Sequence, residues 1–95
     1  MTQVFVKLMA KALHASDHER FAFDAGERPT LRTLIERLHT KFGKRMEIYM
    51  DDVNRRTLKR ETVVFLNGVN AVSSGLDTPL SEGDLVVFMI AAVGG

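Results

Sequence analysis

The side chains of this chain that could do chemistry are few, and none of them is a cysteine. Without thiols the chain forms no disulfide, has no thiolate nucleophile and builds no thiolate metal site. Its hydroxyl, imidazole and carboxylate groups show no pattern that would assemble a nucleophile with a base and an orienting group. The sequence therefore predicts a protein that is not an enzyme on its own.

Metal binding is the next chemistry to consider, and His14 and His18 are its best candidates because they are four residues apart. Both fall in a predicted strand end and loop, where that spacing does not place two rings on one helical face, and companion ligands are missing. His39 lies on the polar side of a predicted helix and is interpreted as a solvated residue. Asp51-Asp52 and Asp77 lack the oxygen-ligand spacing of a calcium loop and are interpreted as turn residues. We predict no metal site.

The charged residues do not indicate a nucleic-acid or membrane partner. Thirteen basic and twelve acidic residues give a net charge of +1, too small for a field that attracts polyanions. A basic cluster at Arg55, Arg56, Lys59 and Arg60 has no interleaved aromatic residues, so a solvated loop is favoured over an RNA stripe, and docking of an acidic partner stays open. The N-terminus reaches a lysine too early for a signal peptide, and no run of apolar residues is long enough for a membrane span. We expect a cytoplasmic protein.

The elements that position any functional group follow from hydrophobic periodicity. The 95 residues, 45% of them hydrophobic, suit a single domain over residues 1–95. Alternation with a period of two predicts strands in "QVFVKLMAKAL", "RFAFDAGE", "TVVFLNG" and "LVVFMI", the first two as a hairpin. Asn67-Gly68 predicts a second hairpin turn, because both central positions of that turn need positive φ.

One helix is predicted with both of its ends. It begins after Thr30 as N-cap and stops at Gly43, and its apolar stripe is Leu31, Leu34, Ile35, Leu38 and Phe42. In the less legible segment "KRMEIYMDDVNRRTLKR", the alternation of Met46, Ile48 and Met50 predicts a short strand. The resulting order, β, β, α, weak β, β, short β, β, predicts an α+β fold in which one main helix packs on one face of a mixed sheet. We expect the stripe to pack against Val4, Val6, Val86 and Phe88.

The last strand is apolar on both faces, although one helix covers only one of them. By strand parity Phe5 joins Val87 and Met89 on the other face, and we predict that these three residues form an exposed apolar patch that binds a partner. The alternative is that the middle segment folds over this face instead.

The last third of the chain, "FLNGVNAVSSGLDTPLSEGDLVVFMIAAVGG", resembles the ubiquitin-like sulfur carriers of the β-grasp fold: molybdopterin synthase small subunits, the thiamine-pathway carrier, and the archaeal and tRNA-thiolation modifiers. The resemblance rests on the Asn67-Gly68 turn, "DTPL" at 77–80, "EGD" at 82–84, the apolar strand and Gly94-Gly95. Molybdopterin synthase small subunits usually have prolines where this chain has Ala91 and Ala92. The thiamine carrier is usually much shorter.

The resemblance implies that the carboxylate of Gly95 is adenylated by a separate E1-like adenylating enzyme that uses ATP, so that this chain itself binds no cofactor. A persulfide then displaces AMP, and the resulting thiocarboxylate gives its sulfur to a partner such as a synthase large subunit. Gly94 and Gly95 would thread a narrow channel that any Cβ would obstruct, with Ala91, Ala92 and Val93 as further partner contacts.

Molybdopterin biosynthesis is the first expectation for the destination of the sulfur, because the chain length fits. Carriers for tRNA thiolation, thiamine or another sulfur-containing metabolite are alternatives. A ubiquitin-like modifier, whose activated Gly95 passes to a lysine amine, shares the activation step. A β-grasp module that binds a partner without covalent chemistry, and whose glycines are incidental, is the remaining alternative.

We predict that residues 91–95 form a flexible tail in the free protein, because their small side chains have little surface to bury. Backbone ¹⁵N relaxation should give lower order parameters for these residues than for the predicted strands. Order parameters in the tail as high as those in the sheet would contradict this prediction.

Overall fold

A computed structural model describes residues 1–9, 20–51, 58–71 and 75–90. Within these ranges the chain forms five strands and two helices. In chain order they are β1 (Gln3–Met9), β2 (Phe21–Asp24), α1 (Leu31–Phe42), α2 (Lys44–Glu47), β3 (Thr62–Leu66), β4 (Val69–Asn70) and β5 (Leu85–Ile90).

The strands form one mixed sheet in the order β2-β1-β5-β3-β4, so the last strand of the chain lies at its centre. β5 runs parallel to β1, with Val6 opposite Val86 and Leu8 opposite Phe88. It runs antiparallel to β3, and the β1–β2 and β3–β4 pairs are antiparallel as well. Both predicted hairpins are therefore present, and the central strand is hydrogen-bonded on both sides.

The helices pack on one face of this sheet and enclose the core. The predicted contact is confirmed: the inward residues of β1 and β5 form one buried cluster with the apolar stripe of α1. Its fully buried sheet and stripe residues are Val4, Val6, Val86 and Phe88 with Leu31, Leu34, Ile35 and Leu38. Phe42 completes the stripe at the edge of the core, half-buried, with its ring centroid 5.4 Å from that of Phe21.

The predicted ends of α1 are also confirmed. The Thr30 hydroxyl accepts a hydrogen bond from the Thr33 backbone N–H, and the Thr33 hydroxyl accepts one from the Thr30 N–H, so the two threonines satisfy each other's free donors. At the other end Gly43 adopts φ 57°, where a side chain would be strained, and its N–H donates to the carbonyl of His39.

The strand predicted for Met46, Ile48 and Met50 is wrong. The chain turns at Gly43 into the short helix α2, so that Met46, Tyr49 and Met50 are all buried while Ile48 is 41% exposed. These three buried residues have the i, i+3, i+4 spacing of a helical turn, which competed with the alternation in the same segment. Met50 makes an isolated bridge with Leu58, which returns the chain toward β3.

Replacing the capping threonine tests how much the start of α1 contributes to stability. Thr30→Ala should lower the free energy of unfolding by about 1 kcal/mol, because the Thr33 N–H loses its acceptor. Thr40→Ala is the matched control, since Thr40 is exposed inside the same helix and its hydroxyl only donates to the Glu36 carbonyl. We expect the control to stay within about 0.5 kcal/mol of the unmodified chain in urea unfolding. Equal losses in both variants would show that the cap contributes nothing specific.

Candidate functional site

The candidate site is the face of the sheet opposite the helices, which we call the open face. The strand register places Phe5 opposite Leu85, Lys7 opposite Val87, and Met9 opposite Met89. On the other side of β5, Phe65 lies opposite Val87, and Val63 opposite Met89. The apolar members of the open face on β1, β3 and β5 are therefore Phe5, Met9, Val63, Phe65, Leu85, Val87 and Met89. All seven are half-buried, in contrast to the fully buried residues between them on the same strands.

The structure brings together the three residues predicted for an apolar patch. Phe5, Val87 and Met89 share the open face, with Phe5 directly beside Leu85. Val63 and Phe65 of β3 were missed because their inclusion depends on the pairing of β3 with β5. Strand parity could have found Leu85, which is two residues before Val87 on the same strand.

The sequence left open that the middle segment folds over this face. In the part of that segment that the structure describes, residues 44–51 lie on the other side of the sheet. The Tyr49 ring centroid is 5.8 Å from that of Phe88, an inward residue of β5. The Tyr49 carbonyl also accepts a hydrogen bond of 2.8 Å from the buried hydroxyl of Thr62. Residues 44–51 therefore extend the core under α1 and do not lie over the open face.

The residues predicted to carry the chemistry follow directly from the central strand. β5 ends at Ile90, opposite Thr62 at the start of β3 and next to the end of β1 at Met9. Ala91, Ala92, Val93, Gly94 and Gly95 come after Ile90 and lie outside the described residues. Whatever follows Ile90 thus begins at the centre of the sheet, at the edge of the open face formed by Met9, Met89 and Val63.

The "EGD" turn, residues 82–84, stabilises the end of the open face where β1 and β5 begin. The carboxylate of Glu82 accepts a hydrogen bond from the Gln3 N–H, and the Gly83 N–H donates to the Gln3 carbonyl. The Asp84 carboxylate accepts from the Ser81 N–H and from the side-chain amide of Asn67. These bonds tie the start of β1, the start of β5 and the β3–β4 turn together, which fixes the register of the three strands.

The "DTPL" segment has a similar structural role at the start of α1. The Leu31 N–H donates to the Thr78 carbonyl, and the Leu80 N–H donates to the Pro29 carbonyl. Asp77 forms an exposed ion pair of 3.2 Å with Arg32. The segment therefore attaches the helix to the loop that leads into β5.

One interpretation of a histidine needs correction. His39 is not simply solvated, because its Nε2 atom lies 2.9 Å from the carboxylate of Glu47 and both side chains are 30% exposed. The turn at Gly43 brings α2 back beside the end of α1 and creates this contact. His14, His18, Arg55 and Arg56 lie outside the described residues.

No three metal-binding side chains cluster among the residues that the structure describes. Over the same ranges, none of the helices has the length and apolar character needed to cross a bilayer.

Solved structures with the same architecture identify the fold as the ubiquitin-like β-grasp, as predicted. The small archaeal modifier protein 1 (SAMP1) of Methanosarcina acetivorans superposes with a TM-score of 0.77 at 22% identity, covering 100% of this chain and 98% of that one. Urm1 of Trypanosoma brucei gives a TM-score of 0.71 at 27% identity, covering 99% and 96%. The Amycolatopsis orientalis BexX/CysO complex contains a chain that gives 0.69 at 19% identity, covering 97% and 99%. No curated relative matches in sequence.

The sequence pattern that defines the ThiS family matches residues 6–95. Because this match covers nearly the whole chain, the protein belongs to the ThiS family, within the ubiquitin-like sulfur carriers and modifiers.

Neighbouring substitutions on β5 test which face of the sheet is open. Met89→Asp should leave the fold intact and cost about 1 kcal/mol of stability, because the carboxylate faces solvent from a strand position. Phe88→Asp should cost more than about 4 kcal/mol, because the same carboxylate would be buried without a partner in the core. Circular dichroism with urea unfolding measures both. Similar losses in the two variants would show that the open face is covered.

Proposed function

We propose that this protein is a sulfur carrier whose reacting group is the carboxylate of Gly95, presented on a flexible tail formed by residues 91–95 of a single β-grasp domain. The match to the ThiS family carries the proposal, because it extends through the two final glycines. The absence of cysteine agrees with it, since a chain without thiols cannot hold sulfur as a side-chain persulfide.

The proposed chemistry takes place in partner enzymes. The Gly95 carboxylate attacks the α-phosphate of ATP in an E1-like adenylating enzyme, which forms an acyl adenylate and releases pyrophosphate. A persulfide donor attacks the acyl carbon and AMP leaves. A thiol then reduces the acyl disulfide, and the thiocarboxylate remains on the chain.

The open face is the proposed docking surface for the adenylating enzyme. It is apolar over three adjacent strands, as protein interfaces are at their centre. Residues 91–95 span about 16 Å when extended, at about 3.3 Å per residue, which gives the tail the reach to enter an active site beside the docked face. The structure of CysO from Amycolatopsis orientalis is that of a complex with BexX, which supports the idea that a chain of this fold acts while bound to another protein.

Molybdopterin biosynthesis is the pathway we propose for the sulfur, with the synthase large subunit as acceptor. This proposal rests on the chain length of 95 residues and on the resemblance of the last third to synthase small subunits. Mixing the thiocarboxylated chain with a synthase large subunit and the pterin precursor should consume the thiocarboxylate. If a tRNA-thiolating or thiamine-forming enzyme consumes it instead, the receiving pathway is the alternative one.

Protein modification is a second candidate, because one structural neighbour is named a small archaeal modifier protein. In that reaction a lysine amine attacks the activated Gly95 carbonyl and forms an isopeptide bond. Incubation with a cell extract and ATP would then give conjugates of higher mass, which a chain extended by one residue beyond Gly95 could not form.

Mass spectrometry tests the proposed modification directly. After incubation with ATP, a sulfur donor and the adenylating enzyme of the host, the intact chain should gain about 16 mass units, because one oxygen of the carboxylate is replaced by sulfur. A non-covalent binding module would show no gain.

Two variants separate docking from activation. Met89→Asp should weaken association with the adenylating enzyme by about 2 to 4 kcal/mol, because the carboxylate is buried in an apolar contact. Deletion of Gly95 should leave affinity nearly unchanged but abolish ATP-pyrophosphate exchange, because the new carboxylate lies about 3.5 Å short of the reacting position. Normal exchange with the shortened chain would show that the Gly95 carboxylate is not the reacting group.

A further inference from the structure

A lysine lies in the middle of the apolar open face. Lys7 is between Phe5 and Met9 along β1 and directly opposite Val87 on β5. Lys7 is half-buried. A lysine at such a position typically lays its apolar stem on the surface and keeps its ammonium in water. A partner that covers Phe5, Val87 and Met89 therefore also covers Lys7.

A second cation lies beside it. Arg20 directly precedes β2, one residue beyond the paired Val6 and Phe21, and continuation of that antiparallel register puts it opposite Lys7. Its guanidinium carbon is 5.4 Å from the centre of the Phe5 ring, which holds the cation over the open face. Within the described ranges, neither Lys7 nor Arg20 makes an ion pair.

The acidic side chains at the "EGD" end of this face accept hydrogen bonds from neighbouring groups of the chain. Asp24 accepts a hydrogen bond from the Gly26 N–H, and Glu82 accepts one from the Gln3 N–H. Asp84 accepts from Ser81 and Asn67. Within the described ranges, the carboxylates at the "EGD" end thus accept hydrogen bonds, and two cations without an ion pair lie farther along the open face, beside Phe5 and Val87.

Covering an ammonium with an apolar surface is costly unless the partner supplies an acceptor. We propose that the protein surface that docks on the open face carries a carboxylate side chain, set among apolar residues, that pairs with Lys7 and is flanked by Arg20. A carboxylate fits better than a neutral acceptor because two cations of the same face lie next to each other. This inference rests on the proposed function, in which the open face binds the adenylating enzyme.

The competing explanation is that Lys7 only keeps the open face soluble and stays in water when the partner docks. The two explanations predict opposite effects of Lys7→Met, which removes the charge and keeps a long apolar side chain. If Lys7 pairs with a carboxylate, affinity for the adenylating enzyme should fall about tenfold, and its dependence on salt should weaken. If Lys7 is only solubilising, affinity should stay equal or rise, because the apolar contact becomes larger.

Titration calorimetry with the full chain and the adenylating enzyme of the host, at low and high sodium chloride, measures this effect. Lys41→Met is the matched control, because Lys41 is an exposed lysine on α1, on the opposite side of the molecule, and should change affinity less than about twofold. Arg20→Gln should weaken binding by a smaller factor than Lys7→Met.

Carbodiimide coupling identifies the acceptor. The reagent joins the Lys7 amine to a carboxylate in direct contact, forming an amide with loss of water, and peptide mass spectrometry should locate that amide on an aspartate or glutamate of the partner. Lys7→Arg should keep most of the affinity and lose this cross-link, because a guanidinium is not coupled.

The outcomes distinguish the inference from the proposed function. Unchanged or tighter binding of Lys7→Met, while Met89→Asp still prevents association, overturns the carboxylate pairing and leaves the docking face in place. No effect of either variant overturns the pairing together with the docking face. Failure of the unmodified chain to bind or to be adenylated overturns the proposed function and, with it, the pairing.

Discussion

A central strand that is apolar on both faces, in a sheet whose described helices lie on only one of them, is the constraint on which the rest of this structure depends. β5 contributes Val86 and Phe88 to the core, where both are fully buried together with residues of α1 and α2. Its alternate residues, Leu85, Val87 and Met89, lie on the face away from both described helices and are half-buried. Alternate residues of this strand therefore serve two surfaces: one set stabilises the core, and the other forms the open face. A substitution one position along the strand affects the other surface.

Local signals predicted those parts of the fold that local contacts determine. Thr30 pairs with Thr33 three positions away, and Gly43 and Asn67-Gly68 adopt positive φ, so each of them bounds an element where predicted. The segment around α2 was harder because Met46 and Met50 fit both a strand and a helical turn. Burial of Tyr49 against Phe88 and exposure of Ile48 decide for the helical turn, and both depend on elements distant in sequence.

The candidate site was predictable only to the extent that it lies on one strand. Parity within β5 and β1 was enough to place Phe5, Val87 and Met89 on a common face. Val63 and Phe65 join that face through the β3–β5 register, which the hydrogen bonds of Asn67 and Asp84 fix across 17 residues of sequence. The contact of His39 with Glu47 escaped prediction for a related reason, since it exists only because the chain reverses at Gly43.

Several motifs in the last third of the chain indicated a carrier. Where the structure describes them, these motifs stabilise the fold. Glu82, Gly83 and Asp84 hold β1, β3 and β5 in register, and Thr78 and Leu80 attach the loop before β5 to the start of α1. In this chain these motifs therefore position the central strand. The proposed chemistry belongs instead to Gly95, which lies outside the described residues.

The central position of β5 also determines how the molecule responds to mechanical force. A pull on the chain beyond Ile90, along the strand, loads β5 in shear against β1 on one side and β3 on the other, with five residue pairs in each ladder. In shear the hydrogen bonds of a ladder share the load, whereas peeling an edge strand breaks them one after another. Force on the chain beyond Ile90 is therefore resisted by two ladders at once, whereas force on the edge strand β2 or β4 is resisted by one.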